Sequence, residues 1–306
     1  MSQTIASFNL HDGTTIPWLA WGCGSGQAQR DPVNSGTHVL NAGINHIDTA
    51  QIYNTEEATG QIVAASPLGK DKIYVTSKLG APEDKPISLD SIRGAVAETT
   101  RKLGFIPDLF LIHNPFVAHP GELKAMWNTL EDLKVEGKLK SIGVSNFRVQ
   151  DFEAIFDGAR FKPVVNQIEF HPYVLSHLEP VLALQAKHGI VTEAFGPLTP
   201  VVRHGTGGPL KPILERIAAR LTKSTGKDVD TATVLLLWTR AQGVVAVSAS
   251  GNADRIRGLA EVAKLPDLLE QGEIDEITRV GKTVHFRHYT EHMEVDFPLP
   301  NLPSGL

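Results

Sequence analysis

The chain has 306 residues, 42% of them hydrophobic and 21% charged, with a mean hydropathy of −0.08. That length leaves either two ordinary domains of ~100–200 residues or one α/β barrel of about 250, and so much apolar material excludes a disordered chain. A formal charge of −5 excludes a broad cationic footprint for nucleic acid or an anionic membrane, though a local basic site for one phosphate remains open, and a lone cysteine, Cys23, excludes an intrachain disulfide.

The opening segment MSQTIASFNLHDG lacks the basic start, apolar run and small-residue cleavage site of a signal peptide. The longest apolar stretch, 234–238, is far shorter than the ~20 residues that cross a bilayer. A cytoplasmic protein with a small-molecule partner is therefore expected.

In chain order, the runs 5–9 and 14–16 flank Asp12-Gly13, a pair suited to the positive-φ positions of a tight hairpin. Strand candidates follow at 18–22, 44–49, 72–78, 109–113, 141–145, 164–170, 190–195 and 244–248. Segments of helical period lie between them, such as 89–103 with Ile92, Ala95, Val96 and Leu103, and 121–136 with Leu123, Met126, Trp127, Leu130 and Leu133. The charged face of the latter, Glu131, Asp132, Lys134, Glu136 and Lys138, reads as solvated. Strands alternating with helices, with no Pro/Gly/Ser-rich linker, predict a single-domain (β/α)8 TIM barrel over residues 1–306 with an N-terminal β-hairpin cap on its floor. A last helix is expected at 273–280, and the aromatic tail from 285 as a substrate loop crossing the barrel.

In such a barrel, chemistry sits at the carboxyl ends of the strands. Three expected strands end in polar groups: Asp48 closes NHIDTA, Lys78 closes KIYVTSK and His113 closes DLFLIHN, with Tyr53 a few residues beyond Asp48. A single Asp or His at a strand end is ordinarily structural, but parallel neighbours lie ~4.8 Å apart, so these groups can converge. An ammonium beside a phenol stabilises the phenolate, so Lys78 is expected to lower the Tyr53 pKa, with Asp48 orienting Lys78. His113 can donate a hydrogen bond to a carbonyl oxygen. The set suits protonation of that oxygen as its carbon gains a hydride.

With these residues, NHIDTAQIYNTEE, VTSKL, LIHNP, GVSNF (143–147) and VVNQIEFHP (164–172) make the chain resemble the aldo-keto reductases, from the hairpin to at least Arg255. The resemblance implies that Tyr53, Asp48, Lys78 and His113 form a catalytic tetrad. It further implies NAD(P)H bound without a Rossmann domain: Ser145, Asn146 and Gln167 on the nicotinamide carboxamide, Phe195 stacked on its ring, and Gly196, Leu198, Ser250 and Arg255 as further cofactor contacts. The implied reaction is hydride transfer to an aldehyde or ketone, giving an alcohol, in a protein that is commonly a monomer.

Departures from the family pattern narrow this expectation. Gly24 stands where many members carry a Trp, and His113-Asn114-Pro115 where many read His-Trp-Pro, which predicts a wider, more polar substrate pocket lined by Gly24, Tyr53, His113 and Asn114. The Gly22-x-Gly24 turn together with the Pro115-Phe116 pair after His113 resembles the fungal branch acting on conjugated polyketones, ketopantoyl lactone and α-keto amides. At the adenine end, VSASGNADRI has Ala249 in place of a common Lys but keeps Ser250 and Arg255. Arg255 can still meet a phosphate with a planar, charge-assisted contact. NADPH is the expected cofactor, with NADH use left open, and the stretch 195–212 can fold over the pyrophosphate with Arg203 or Lys211 nearby.

Other signals carry less. Gly22-x-Gly24-x-Gly26 departs from a dinucleotide fingerprint because its third glycine comes one position early and QAQRDP is a poor helix start. His285, His288 and His292 have helical metal-ligand spacing but no helical apolar face, so no metal is expected. Cys23, with no basic neighbour in sequence, reads as a packing residue that can line the cofactor cleft. Two other functions fit the fold: a glycoside hydrolase using Glu193, for which strand four supplies no second carboxylate, and a non-catalytic nucleotide-binding member of the same family.

Overall fold

The computed structural model describes residues 5–80 and 85–289. An antiparallel hairpin, β1 (Ser7–Asn9) and β2 (Thr15–Pro17), precedes eight parallel strands: β3 (Leu19–Gly22), β4 (His46–Asp48), β5 (Tyr74–Leu79), β6 (Leu109–Ile112), β7 (Ser141–Ser145), β8 (Val165–Glu169), β9 (Val191–Phe195) and β10 (Val245–Ser248). They pair in sequence order, and β10 returns to β3, so the sheet closes into the expected (β/α)8 TIM barrel.

Helices α1 (Gly26–Arg30), α2 (Pro32–Ala42), α3 (Glu56–Ala65), α4 (Leu89–Leu103), α5 (Leu123–Val135), α6 (Val149–Phe156), α7 (Leu175–His188), α8 (Thr199–Val202), α9 (Lys211–Thr225), α10 (Thr231–Ala241), α11 (Ala253–Ala263) and α12 (Gln271–Gly281) follow the strands. The expected strand at 44–49 is shorter because the end of α2 runs into it: Gly43 adopts φ 97, and the amides of Gly43 and Ile44 cap carbonyls of α2. Residues 26–30, expected to start a helix poorly, form the single turn α1. Glu131, expected in solvent, is buried, and its carboxylate accepts from the Phe161 amide at 2.7 Å.

Period-two alternation sorts the strand residues. On β6, Phe110 and Ile112 pack outward with Ile92, Val96 and Met126 in the layer between barrel and helices. Leu109 and Leu111 instead join Val165, Val245 and the hairpin residues Leu10 and Ile16, which fill the barrel floor. The same parity turns His46 and Asp48, Thr76 and Lys78, Gln167 and Glu169, and Glu193 and Phe195 inward, so the apolar floor gives way to a polar upper barrel.

The hairpin caps the floor as expected, but not through a two-residue turn. Only Gly13 of the Asp12-Gly13 pair has positive φ, at 87°, and the Asp12 carboxylate is used as an anchor. It accepts from the Thr14 amide and hydroxyl and from Ser141 Oγ at 2.7 Å, at the start of β7. His11 Nε2 lies 3.0 Å from the Pro163 carbonyl just before β8.

Candidate active site

Asp48 ends β4, and Lys78 lies one turn of the pleat further up β5, since Asp48 pairs in register with Thr76. The Lys78 ammonium is fully buried and donates to Asp48 Oδ1 and Oδ2 at 2.7 and 2.8 Å and to the Thr49 carbonyl at 3.0 Å. All three of its N–H bonds are thereby satisfied. Burial pulls its pKa down, but Asp48 and then Tyr53 more than offset this, so it stays charged.

Tyr53 sits on the 3-10 turn Gln51–Tyr53 just past β4, its ring edge-on to His113 at 5.4 Å and 82°. Its hydroxyl lies 3.3 Å from His113 Nε2, and Lys78 Nζ is 5.0 Å from the ring centroid. Contrary to the expectation from charge alone, burial pushes the phenol up to about 12, with Lys78 pulling the other way without overcoming it. The phenol is therefore held in its neutral, proton-bearing form, next to an imidazole. The ring has this position because residue 24 is glycine: a Cβ there would stand 2.6 Å from Tyr53 Cε2 and Cζ.

The neighbouring strands supply amides. Ser145 Oγ donates to the Gln167 carbonyl at 2.8 Å, and Asn146, at φ 59, donates through Nδ2 to the His113 carbonyl at 3.0 Å and to Ser145 Oγ at 3.2 Å. Gln167 Nε2 donates at once to Asp48 Oδ2, 2.8 Å, and to Glu193 Oε2, 2.9 Å. Burial first, and the Asp48 charge second, push the Glu193 carboxyl up to about 8.

One cleft of about 1390 Å³ opens above these groups and runs to the far side of the barrel mouth. Gly24, Asp48, Tyr53, His113, Ser145, Asn146, Gln167, Phe195, Gly196, Leu198, Ser250 and Arg255 all line it, together with Arg203 and Lys227. Four residues do not. Lys78 lies beneath Asp48 and Tyr53. Asn114 is buried, its Oδ1 accepting from the Phe116 amide at 2.9 Å. Lys211 pairs instead with Glu215 on the outside of α9. Cys23 is fully buried, its thiol donating to the Asp48 carbonyl, and burial raises its pKa, so it packs behind the cleft rather than lining it.

Glu193 is equally inaccessible, which removes it as a glycosidase carboxylate: a group that does not face the cleft cannot reach a glycosidic bond. Of the three tail histidines, His285 stacks on His177 at 3.6 Å and His288 lies in non-helical backbone, while His292 lies outside the described residues. Among the described residues no group of three or more His, Cys, Asp or Glu is placed to hold a metal, and no helix is long and apolar enough to cross a membrane.

Sequence reasoning missed Glu169 and Tyr289. Glu169 ends β8 fully buried, and its carboxylate collects His171 Nε2 at 3.1 Å, the amides of His288 and Tyr289 at 2.8 and 3.1 Å, and Arg287 Nη1 at 3.4 Å. Burial pushes its pKa up, but His171, Arg287 and the His288 amide outweigh that and hold it below the usual range. The tail is thus pinned so that Tyr289 stands edge-on to Phe195 at 5.2 Å and 87° and enters the cleft wall. The available signal was parity: Glu169 lies two residues beyond Gln167 on the same inward face.

Fold and site together define a TIM-barrel enzyme whose mouth joins a buried acid/base cluster to a long cleft able to hold an extended ligand. Residues 25–282 match the family model described as the aldo/keto reductase family, and the chain belongs to that family, an oxidoreductase that reduces carbonyl groups. It is 31% identical over 292 residues, 92% of this chain and 98% of the relative, to the NAD/NADP-dependent indole-3-acetaldehyde reductase of Schizosaccharomyces pombe. It is 32% identical over 243 residues, 78% of this chain and 75% of the relative, to the NADPH-dependent alpha-keto amide reductase of Saccharomyces cerevisiae. Among solved structures, a Bombyx mori aldo-keto reductase in complex with NADP superposes with a TM-score of 0.78 at 27% identity, covering 98% of this chain and 99% of that one.

Proposed function

We propose that this protein reduces aldehydes and activated ketones, of the α-dicarbonyl, ketolactone or α-keto amide type, to alcohols with NADPH. The observation that carries the reading is the meeting of Tyr53, Lys78, Asp48 and His113 at one end of a cleft that reaches Ser250 and Arg255 at the other. A reduced nicotinamide, when bound, supplies the hydride. The residues fit such a group: the cleft is long, and the Gln167 carboxamide has spent both N–H bonds on acids, which leaves its oxygen as an acceptor.

In this reading Ser145, Asn146, Gln167 and Phe195 hold the nicotinamide, Gly196 and Leu198 follow the pyrophosphate, and Ser250 and Arg255 meet the 2′-phosphate. His113 Nε2 and the Tyr53 hydroxyl hold the substrate oxygen, and Tyr53 gives its proton to that oxygen as negative charge develops there. A phenol held neutral by burial is always loaded for this step, and the alkoxide that forms is basic enough to take the proton. Lys78, fixed by Asp48, keeps a positive charge under the phenol and stabilises the phenolate left behind. The Tyr53 ring fills the space beside Gly24, and Asn114 is buried outside the cleft lining, so the preference for activated ketones rests on the electron-withdrawing neighbour that makes their carbonyl carbon more electrophilic.

The reading is tested by measuring kcat/KM for NADPH and NADH against a panel of α-dicarbonyls, ketolactones, α-keto amides and simple aldehydes, with chiral analysis of the products. NADPH-dependent turnover with preference for the activated ketones is expected. Binding of the cofactor without turnover on any member would refute it, and a clear NADH preference would refute the phosphate assignment of Ser250 and Arg255.

A further inference from the structure

Glu193 takes no part in the chemistry above, yet the fold places it one hydrogen bond from it. Gln167 and Glu193 are register partners on β8 and β9, and Glu193 Oε2 accepts from Gln167 Nε2 at 2.9 Å while the same nitrogen reaches Asp48 Oδ2 at 2.8 Å. A primary amide nitrogen carries two hydrogens, and here both are directed at acids, one on the adjacent strand β9 and one on β4 across the barrel. One such bond would leave the amide plane free to turn about it; two fix the plane. The reversed amide would put Gln167 Oε1 against Asp48 Oδ2, oxygen against carboxylate, and would lose both N–H contacts to the acids.

We propose that Glu193 is a positioning residue: with Asp48 it locks the Gln167 carboxamide so that only its oxygen faces the ligand, which makes the site an acceptor selective for an N–H-bearing ring substituent, a carboxamide over a carboxylate. The inference rests on the reading of the cleft as a nicotinamide site and assigns how this chain sets the orientation and selectivity of that site. Burial supports the arrangement. Glu193 is fully enclosed, and its second oxygen, 3.8 Å from His46 Nε2, makes no hydrogen bond, so among the described residues its one hydrogen-bonded contact is Gln167.

The test uses the full chain and follows NADPH binding by fluorescence titration, alongside adenosine 2′,5′-bisphosphate, which occupies only the adenosine end. Glu193→Leu removes the acceptor and should weaken NADPH about tenfold, the loss of one well-made hydrogen bond, while leaving the bisphosphate unchanged. Glu193→Gln keeps an oxygen that accepts from Gln167 and should bind NADPH as the wild type does. Glu193→Ser, polar but too short to reach Gln167, must behave as the Leu variant. In a Gln167→Leu background the Glu193→Leu change should add nothing, because the two act through one another. The wild type should also discriminate NADP+ from its deamido analogue, which carries a carboxylate on the ring, and Glu193→Leu should shrink that ratio.

Unchanged NADPH affinity in the Leu and Ser variants, additive losses with Gln167→Leu, or an equal loss of bisphosphate binding would each overturn the proposal. A wild-type chain that binds neither NADPH nor NADH would overturn the functional reading and this inference with it. A wild type that binds NADPH, with variants that match it, overturns this inference alone.

Discussion

The Tyr53 hydroxyl offers the sharpest prediction. Burial holds its pKa at about 12 against an ordinary value of 10.0, so at pH 7 the phenolate fraction is on the order of 10⁻⁵. The proposed reduction uses the neutral phenol, and its kcat should therefore be flat from pH 6 to about 10. The reverse reaction, oxidation of the alcohol, needs the phenolate and should speed up about tenfold per pH unit over the same range. Removing the hydroxyl in Tyr53→Phe deletes the proton donor without touching the groups assigned to the cofactor. It should cut reductive kcat by about 10²–10⁴, the usual range for a general acid, and leave NADPH affinity within about twofold. Loss of NADPH absorbance measures the first and fluorescence titration the second. A Tyr53→Phe variant with normal kcat, or a wild-type reductive rate that falls with a midpoint near neutrality, would show that another group donates the proton.

Two further changes probe how that site is held. Gly24→Ala places a methyl 2.6 Å from the Tyr53 ring, so the phenol must shift; kcat should fall at least about tenfold with little change in thermal stability, and an unaltered kcat would mean that the ring position does not matter. Glu169→Gln turns an amide NH2 against backbone or side-chain donors whichever way it points, because both carboxylate oxygens accept. It should cost about 1–3 kcal/mol by chemical denaturation and raise substrate KM as Tyr289 loosens over Phe195. Because the folded pKa of Glu169 is depressed, its contribution is present above the unfolded value near 4.5 and lost as pH falls through the folded one, so the gap between wild type and variant should close in acid. A gap that is constant with pH would refute the charge-based account.

Much of this was readable along the chain. Strand-like runs alternating with helical stripes indicated the barrel class, and Asp48, Lys78 and His113 were visible because, although one polar residue at a strand end is ordinarily structural, three on consecutive strands are not. Local patterns also placed α4 and α5, whose apolar spacing dictates the face that packs. What failed was whatever depends on the depth of a group. Lys78 was expected to dominate the Tyr53 phenol, but desolvation is larger than the charge effect and only the assembled barrel creates it. Glu131 looked solvated among charged neighbours, yet α5 turns it toward the Phe161 amide.

Sequence by itself thus determined the periodicities, the class of fold and the chemistry available at the strand ends, because these are set by residues near one another in the chain. Tertiary structure alone decided which of those groups meet. It brought Asp48, Gln167 and Glu193 to one amide nitrogen from three strands, and it carried His288 and Tyr289 back to Glu169 about 120 positions earlier. Such contacts arise from closure of the sheet, which sets strand register and excludes water, and no local spacing encodes either.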